Sequence, residues 1–164
     1  MFLALCSTKY AKLKSSYKME HFKNLNIHLI EENKICKERF LFYLRNMGFT
    51  NISTFKNGLE CLVTLNTRPD VIIMSQGADA WESLGYLKRI KEVNPDVYVI
   101  FVAEKKDASI PVSAQNFGAF DCFFKGYQLE SMLHISMQKV LDVINLLNFK
   151  PVKSRMNFMS FYTL

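Results

Sequence analysis

With 164 residues, 49% apolar and 22% charged, the chain is sized for one domain with a real core. No run nears the ~20 apolar residues that span a bilayer, and the four cysteines show neither CxxC spacing nor a Cys/His cluster for zinc. The net charge of +6 sits in the ends, since residues 25–147 carry 13 basic and 14 acidic side chains, which argues against a nucleic-acid platform.

Residues 1–24 hold five Lys and one Glu and lack sustained periodicity, so they form a basic N-terminal extension. Met1–Cys6 is apolar but too short for a secretory signal, and Met19 is a second candidate start. The patterned domain spans 25–147, and 148–164 form a tail with Lys150, Lys153, Arg155 and the apolar residues Phe158, Met159, Phe161 and Tyr162. Folding back on the domain is the expected fate of this tail, because exposed aromatics invite association.

Within the domain, Ile27–Ile30 is a short apolar strand ending in Glu31-Glu32-Asn33, with His28 near the edge of the core. Cys36, Phe40, Leu41, Leu44 and Met47 recur at helical spacing, with Asn33 as cap and Gly48 as stop. Strand 51–55 follows, and Asn57-Gly58 turns into a helix bearing Leu59, Leu62, Val63 and Leu65. The run 70–75 is apolar at consecutive positions, which predicts a central strand covered on both faces and ending at Ser75. A helix at 81–93 turns Leu84, Leu87 and Ile90 inward; a strand at 97–103, a helix at about 107–117 and a strand at 120–125 follow. The last helix, about 128–147, buries Leu129, Leu133, Met137, Val140, Leu141 and Ile144. Cys36, Cys61 and Cys122 fall on apolar positions, which predicts buried, reduced thiols and a cytoplasmic protein.

Five strands alternating with five helices predict a flavodoxin-like, doubly wound α/β/α sandwich with a parallel sheet of order 2-1-3-4-5. The crevice of such a sheet lies at the carboxyl ends of its strands, which gathers Glu31, Glu32, Ser75 and Lys125.

Residues 25–147 resemble a response-regulator receiver domain. The resemblance rests on the acidic pair Glu31-Glu32 after strand one, the strand 70–75, the turn Phe117-Gly118-Ala119-Phe120-Asp121 into strand five, and Lys125 at its end. It implies that Glu31 and Glu32 match the acidic pair that helps bind Mg²⁺, and that Lys125 matches the lysine that pairs with phosphoryl oxygens. It also exposes departures. Ser75 stands where the family has its phosphorylated aspartate, Ala103 where it has a hydroxyl, and Cys122 where it has the switch aromatic. Gly126 and Asp79 each replace a proline.

These departures have chemical consequences. A receiver forms an acyl phosphate on a carboxylate, whereas an alcohol needs a base before it attacks phosphorus. Losing the acceptor carboxylate also removes a Mg²⁺ ligand, and losing the Ala103-position hydroxyl removes a hydrogen bond worth roughly 1.5–3 kcal/mol to a charged acceptor. The expectation is a pseudo-receiver: no catalysis, no Mg²⁺ or other cofactor (Glu31 and Glu32 being the ligands if a metal binds), and Lys125 held in an ion-pair network with Glu31 and Glu32. Asp70 is at the wrong end of its strand to replace the acceptor, while Asp79 is in reach of the crevice.

Signalling would then run through a protein partner, a sensor kinase or regulator, or through a homodimer at the helix 4–strand 5–helix 5 face. Candidates there are Tyr98, Phe120, Tyr127 and Met132, and no direct contact with nucleic acid is expected. The alternatives are a working receiver with unusual phosphorylation or metal chemistry, and an enzyme with Ser75 and Lys125 as nucleophile and base. The second lacks a nucleophile elbow. A flavin site lacks a phosphate loop after strand one.

Overall fold

A computed structural model describes residues 24–104 and 107–148. Most of the N-terminal extension with Cys6 and Met19, and the tail beyond residue 148, lie outside the described residues. Five parallel strands, β1 (Ile27–Ile30), β2 (Ile52–Phe55), β3 (Val71–Ser75), β4 (Tyr98–Ala103) and β5 (Asp121–Phe124), make one sheet in the expected order β2-β1-β3-β4-β5. Five helices cover it: α1 (Lys34–Asn46), α2 (Gly58–Val63), α3 (Ala80–Val93), α4 (Ser109–Asn116) and α5 (Leu129–Asn148). No described helix is long and apolar enough to cross a membrane.

Helices α1 and α5 close one face over Ile27, Leu29, Val71, Ile73, Ile100 and Val102. The others close the second face over Ile30, Ile72, Met74, Val99 and Phe101. Every residue of β3 is buried, as its unbroken apolar run requires of a strand covered on both sides. The Asn33 side chain accepts from Cys36 N at 3.0 Å and starts α1, while Gly48 ends it with φ +92°, a conformation glycine adopts without strain.

The second helix departs from expectation. It has six residues and continues as a 3-10 turn, Leu65–Thr67. Gly58, Cys61 and Leu65 face inward, while Leu59 and Val63 are exposed. The reason is the approach of α3. A Cβ on Gly58 would lie 2.4 Å from Tyr86 Cγ, so Gly58 must face α3, and helical spacing then turns 61 and 65 inward and 59 and 63 outward. Gly58→Ala is therefore expected to cost about 2 kcal/mol by overpacking, despite alanine's better helix propensity. Chemical denaturation checks this, and Tyr86→Ala should relieve most of the cost.

Two further expectations are corrected. His28 is not near the edge but 1% exposed, because β1 is an inner strand. Of the described cysteines, Cys61 alone is buried. Cys36 and Cys122 are half-buried because α1 turns Cys36 toward the crevice and β5 is an edge strand.

Candidate functional site

Parallel register decides what meets at the carboxyl edge. Ile30 pairs with Met74, Ser75 with Val102, and Ala103 with Phe124. Glu31 leaves β1 beside the end of β3, and Lys125 leaves β5 with its backbone N donating to Ala103 O at 2.7 Å. Across the intervening strands the Lys125 ammonium donates to Glu31 Oε2 at 2.7 Å. Glu31 is 4% exposed and the lysine side chain 15%, so this pair is largely withdrawn from water. Glu31 Oε1 accepts from Asn33 N at 2.8 Å, which occupies the second carboxylate oxygen.

The expected lysine network forms, but with a different third member. Glu104 Oε1 lies 3.5 Å from Lys125 Nζ, while Glu32 is exposed on the rim of the cleft. The physical reason is direction. Glu31 follows the buried strand end inward, and the next side chain points outward before the Asn33 cap. Glu104 was not anticipated; its signal is its position one residue beyond Ala103, at the mouth of β4. Gln76 was missed as well. Its Oε1 accepts from Glu104 N at 3.0 Å and its N donates to Val102 O at 2.8 Å, which ties the β3 and β4 exits together. Burial opposes charge on Lys125, but the hydrogen bond and charge of Glu31, with Cys36 and Glu104 behind it, outweigh this and raise its pKa above 10.5.

Ser75 ends β3 as expected, 6% exposed. Its Oγ is buried and has no hydrogen-bonding partner among the described residues. The open cleft, about 650 Å³, is lined by Glu31, Glu32, Cys36, Gln76, Glu104 and Lys125 among others, and Ser75 is not one of its wall residues. Ala103 is fully buried. Cys122 packs on the second core, and burial together with Asp121 pushes its thiol to about 11. Asp79 is committed elsewhere: it caps α3, accepting from Trp81 N at 2.8 Å and Glu82 N at 3.1 Å, so it does not stand in for an acceptor.

The expected dimer face also divides. Tyr98 and Phe120 form an edge-to-face ring pair at 5.1 Å and pack on the first core with Met132, so these three have structural work. Tyr127 is 86% exposed, beside Phe124 at 39%.

Among known proteins, residues 27–136 match the family described as the response regulator receiver domain. The chain is 34% identical over 88 residues to the DNA-binding transcriptional regulator NtrC of Escherichia coli K12, covering 53% of this chain and 19% of that protein. It is 30% identical over 119 residues to the transcriptional regulatory protein CssR of Bacillus subtilis, covering 72% of this chain and 52% of that one. It thus spans about half the length of these relatives or less. A solved response regulator receiver domain from Clostridium thermocellum superposes with a TM-score of 0.67 at 21% identity, covering 75% of this chain and 98% of that one. HP1043, an orphan response regulator of Helicobacter pylori, gives 0.62 at 21% identity over 73% of this chain and 98% of that one. At such identities these two bear on the fold.

Proposed function

We propose a function from the premise that this chain belongs to the response regulator receiver domain family. It acts as a signalling module that works through protein–protein contact without accepting a phosphoryl group. The observation that carries this reading is the Ser75 hydroxyl, which is buried and unpartnered at the end of β3. A hydroxyl nucleophile needs a base to take its proton, and no described carboxylate or imidazole is hydrogen-bonded to Ser75 Oγ.

The donor set supports the same reading for metal. Mg²⁺ demands a tight octahedron of oxygens. Both Glu31 oxygens are already engaged, by Lys125 and by Asn33 N. Among the described residues no group of three or more His, Cys, Asp or Glu is placed to hold a metal ion. The residues present do not fit the family's Mg²⁺ site.

The Lys125–Glu31–Glu104 network then holds by itself the crevice that a receiver holds with a phosphoryl group. The partner is a protein, a sensor kinase or a regulator, in a cytoplasmic signalling or gene-regulation setting. The exposed Tyr127 and Phe124 next to α4 and α5 are the contact candidates, including for a homodimer.

Calorimetric titration with beryllofluoride and Mg²⁺, which together mimic a bound phosphoryl group, tests this. No saturable binding is expected. Saturable binding that depends on Mg²⁺ would favour a working receiver with unusual chemistry instead.

A further inference from the structure

On the face of the sheet away from α5, a chain of neutral hydrogen bonds runs through the buried His28. The Thr67 hydroxyl donates its one hydrogen to Thr64 O at 2.7 Å. Its oxygen therefore accepts from His28 Nε2–H, at 3.1 Å. That tautomer leaves Nδ1 bare, facing Cys61 Sγ at 3.5 Å, where the thiol donates. The Phe55 ring lies against the imidazole at 4.7 Å, tilted by 51°. One imidazole thus fastens three successive pieces to β1: the edge strand β2, helix α2 and the 3-10 turn.

We propose that His28 is a proton-operated latch: its protonation releases the edge unit 52–67 from β1 while the inner strands stay paired. The chemistry is local. A proton on Nδ1 turns an acceptor into a donor facing a thiol and places a positive charge where Cys61 and His28 are 0% and 1% exposed. Among the described residues no opposite charge is placed to receive it. From β2 the ring meets Phe55, from α2 the Cys61 thiol, from the 3-10 turn Thr67, and its register partners on β2 and β3 are Ser53 and Ile72. Cys61 is the one titratable group among these, and burial pushes it up to about 12, so it stays a thiol.

The charged residues on the same elements are engaged or turned outward. Glu60 accepts from Lys56 N, Asp70 accepts from Asn26 N, and Arg68 is exposed. His134 is exposed on α5, across the sheet.

Burial also holds the His28 pKa below 6.5, so the closed form binds fewer protons than the open one. Stability of the latch is then full above pH 6.5 and falls as pH drops below it. The release reaches the crevice through the backbone. Glu31 N donates to Phe55 O at 3.1 Å, so freeing β2 loosens the strand end that carries the partner of Lys125. This coupling holds whether or not Ser75 accepts phosphate.

Hydrogen exchange on the full chain at pH 7.5 and 5.5, corrected for intrinsic rates, reads the opening. Amides of 52–67 are expected to be less protected than those of β4 at pH 7.5 and to lose up to about tenfold more protection at pH 5.5. His28→Gln keeps a donor for Thr67 and cannot titrate, so it should lose the pH response. Should that variant not fold, NMR titration of the wild-type imidazole decides, with an expected midpoint below 6.5. Equal protection of 52–67 and β4 at both pH values, an unchanged pH response in His28→Gln, or a midpoint at or above 6.5 would overturn the proposal.

Discussion

Replacing Lys125 by methionine is expected to lower the unfolding free energy by about 3 kcal/mol, the scale for stranding one member of a buried ion pair. Glu31 is 4% exposed and would be left with Asn33 N as its close donor among the described residues. The effect falls at the lower end of the range because Lys125 retains some exposure and Glu104, at 39%, is well solvated. Adding Glu31→Gln, which keeps the acceptor for Asn33 N, should restore all but about 1 kcal/mol, since a neutral pair of similar volume leaves no unpaired charge buried. A double-mutant cycle in urea measures the coupling. The pH dependence has a defined sign. The Lys125 pKa is raised, chiefly by Glu31 against the opposing effect of burial, so its contribution is present below pH 10.5 and is lost as pH climbs through the folded value. Lys125→Met should lack that alkaline loss.

Ser75→Asp is expected to cost about 3 kcal/mol at pH 7, whereas Ser75→Ala should be neutral or up to about 1 kcal/mol stabilising. The asymmetry follows from the unpartnered Ser75 Oγ. Removing a buried hydroxyl without a partner forfeits no bond, while a carboxylate there adds charge next to Glu31, whose neutralising lysine is already engaged. The new carboxyl group would have a raised pKa in the fold, so its penalty should shrink as pH falls toward ~4. Thermal melts of both variants at pH 7 and pH 5 check this. A fully stable Ser75→Asp at pH 7 would mean that Lys125 changes partners freely.

The architecture was legible because period-2 and period-3.6 apolar patterns are local, and the run 70–75 had to be central. Local signals also fixed the cap at Asn33 and the stop at Gly48. The Glu31–Lys125 pair was legible through strand order, since both residues sit at strand ends. What escaped depended on packing between elements. Nothing local says that Tyr86 presses on Gly58, and this contact turns Leu59 and Val63 outward. Nothing local distinguishes Glu31 from Glu32 either; the tight turn into α1 sends one inward and the other to the rim. Glu104 takes the third place because Gln76 holds its backbone against the exit of β3. The His28 latch escaped for the same reason, since Cys61 and Thr67 lie 33 and 39 residues away in the chain.

On the proposed function, the Lys125–Glu31–Glu104 network holds the crevice and no side chain there accepts a phosphoryl group. Incubating the full chain with a small acyl phosphate and Mg²⁺, then weighing it by intact mass spectrometry, tests this most directly. The wild type is expected to gain no phosphate. One phosphate per chain, mapped to Ser75 or to a carboxylate of the cleft, would contradict it.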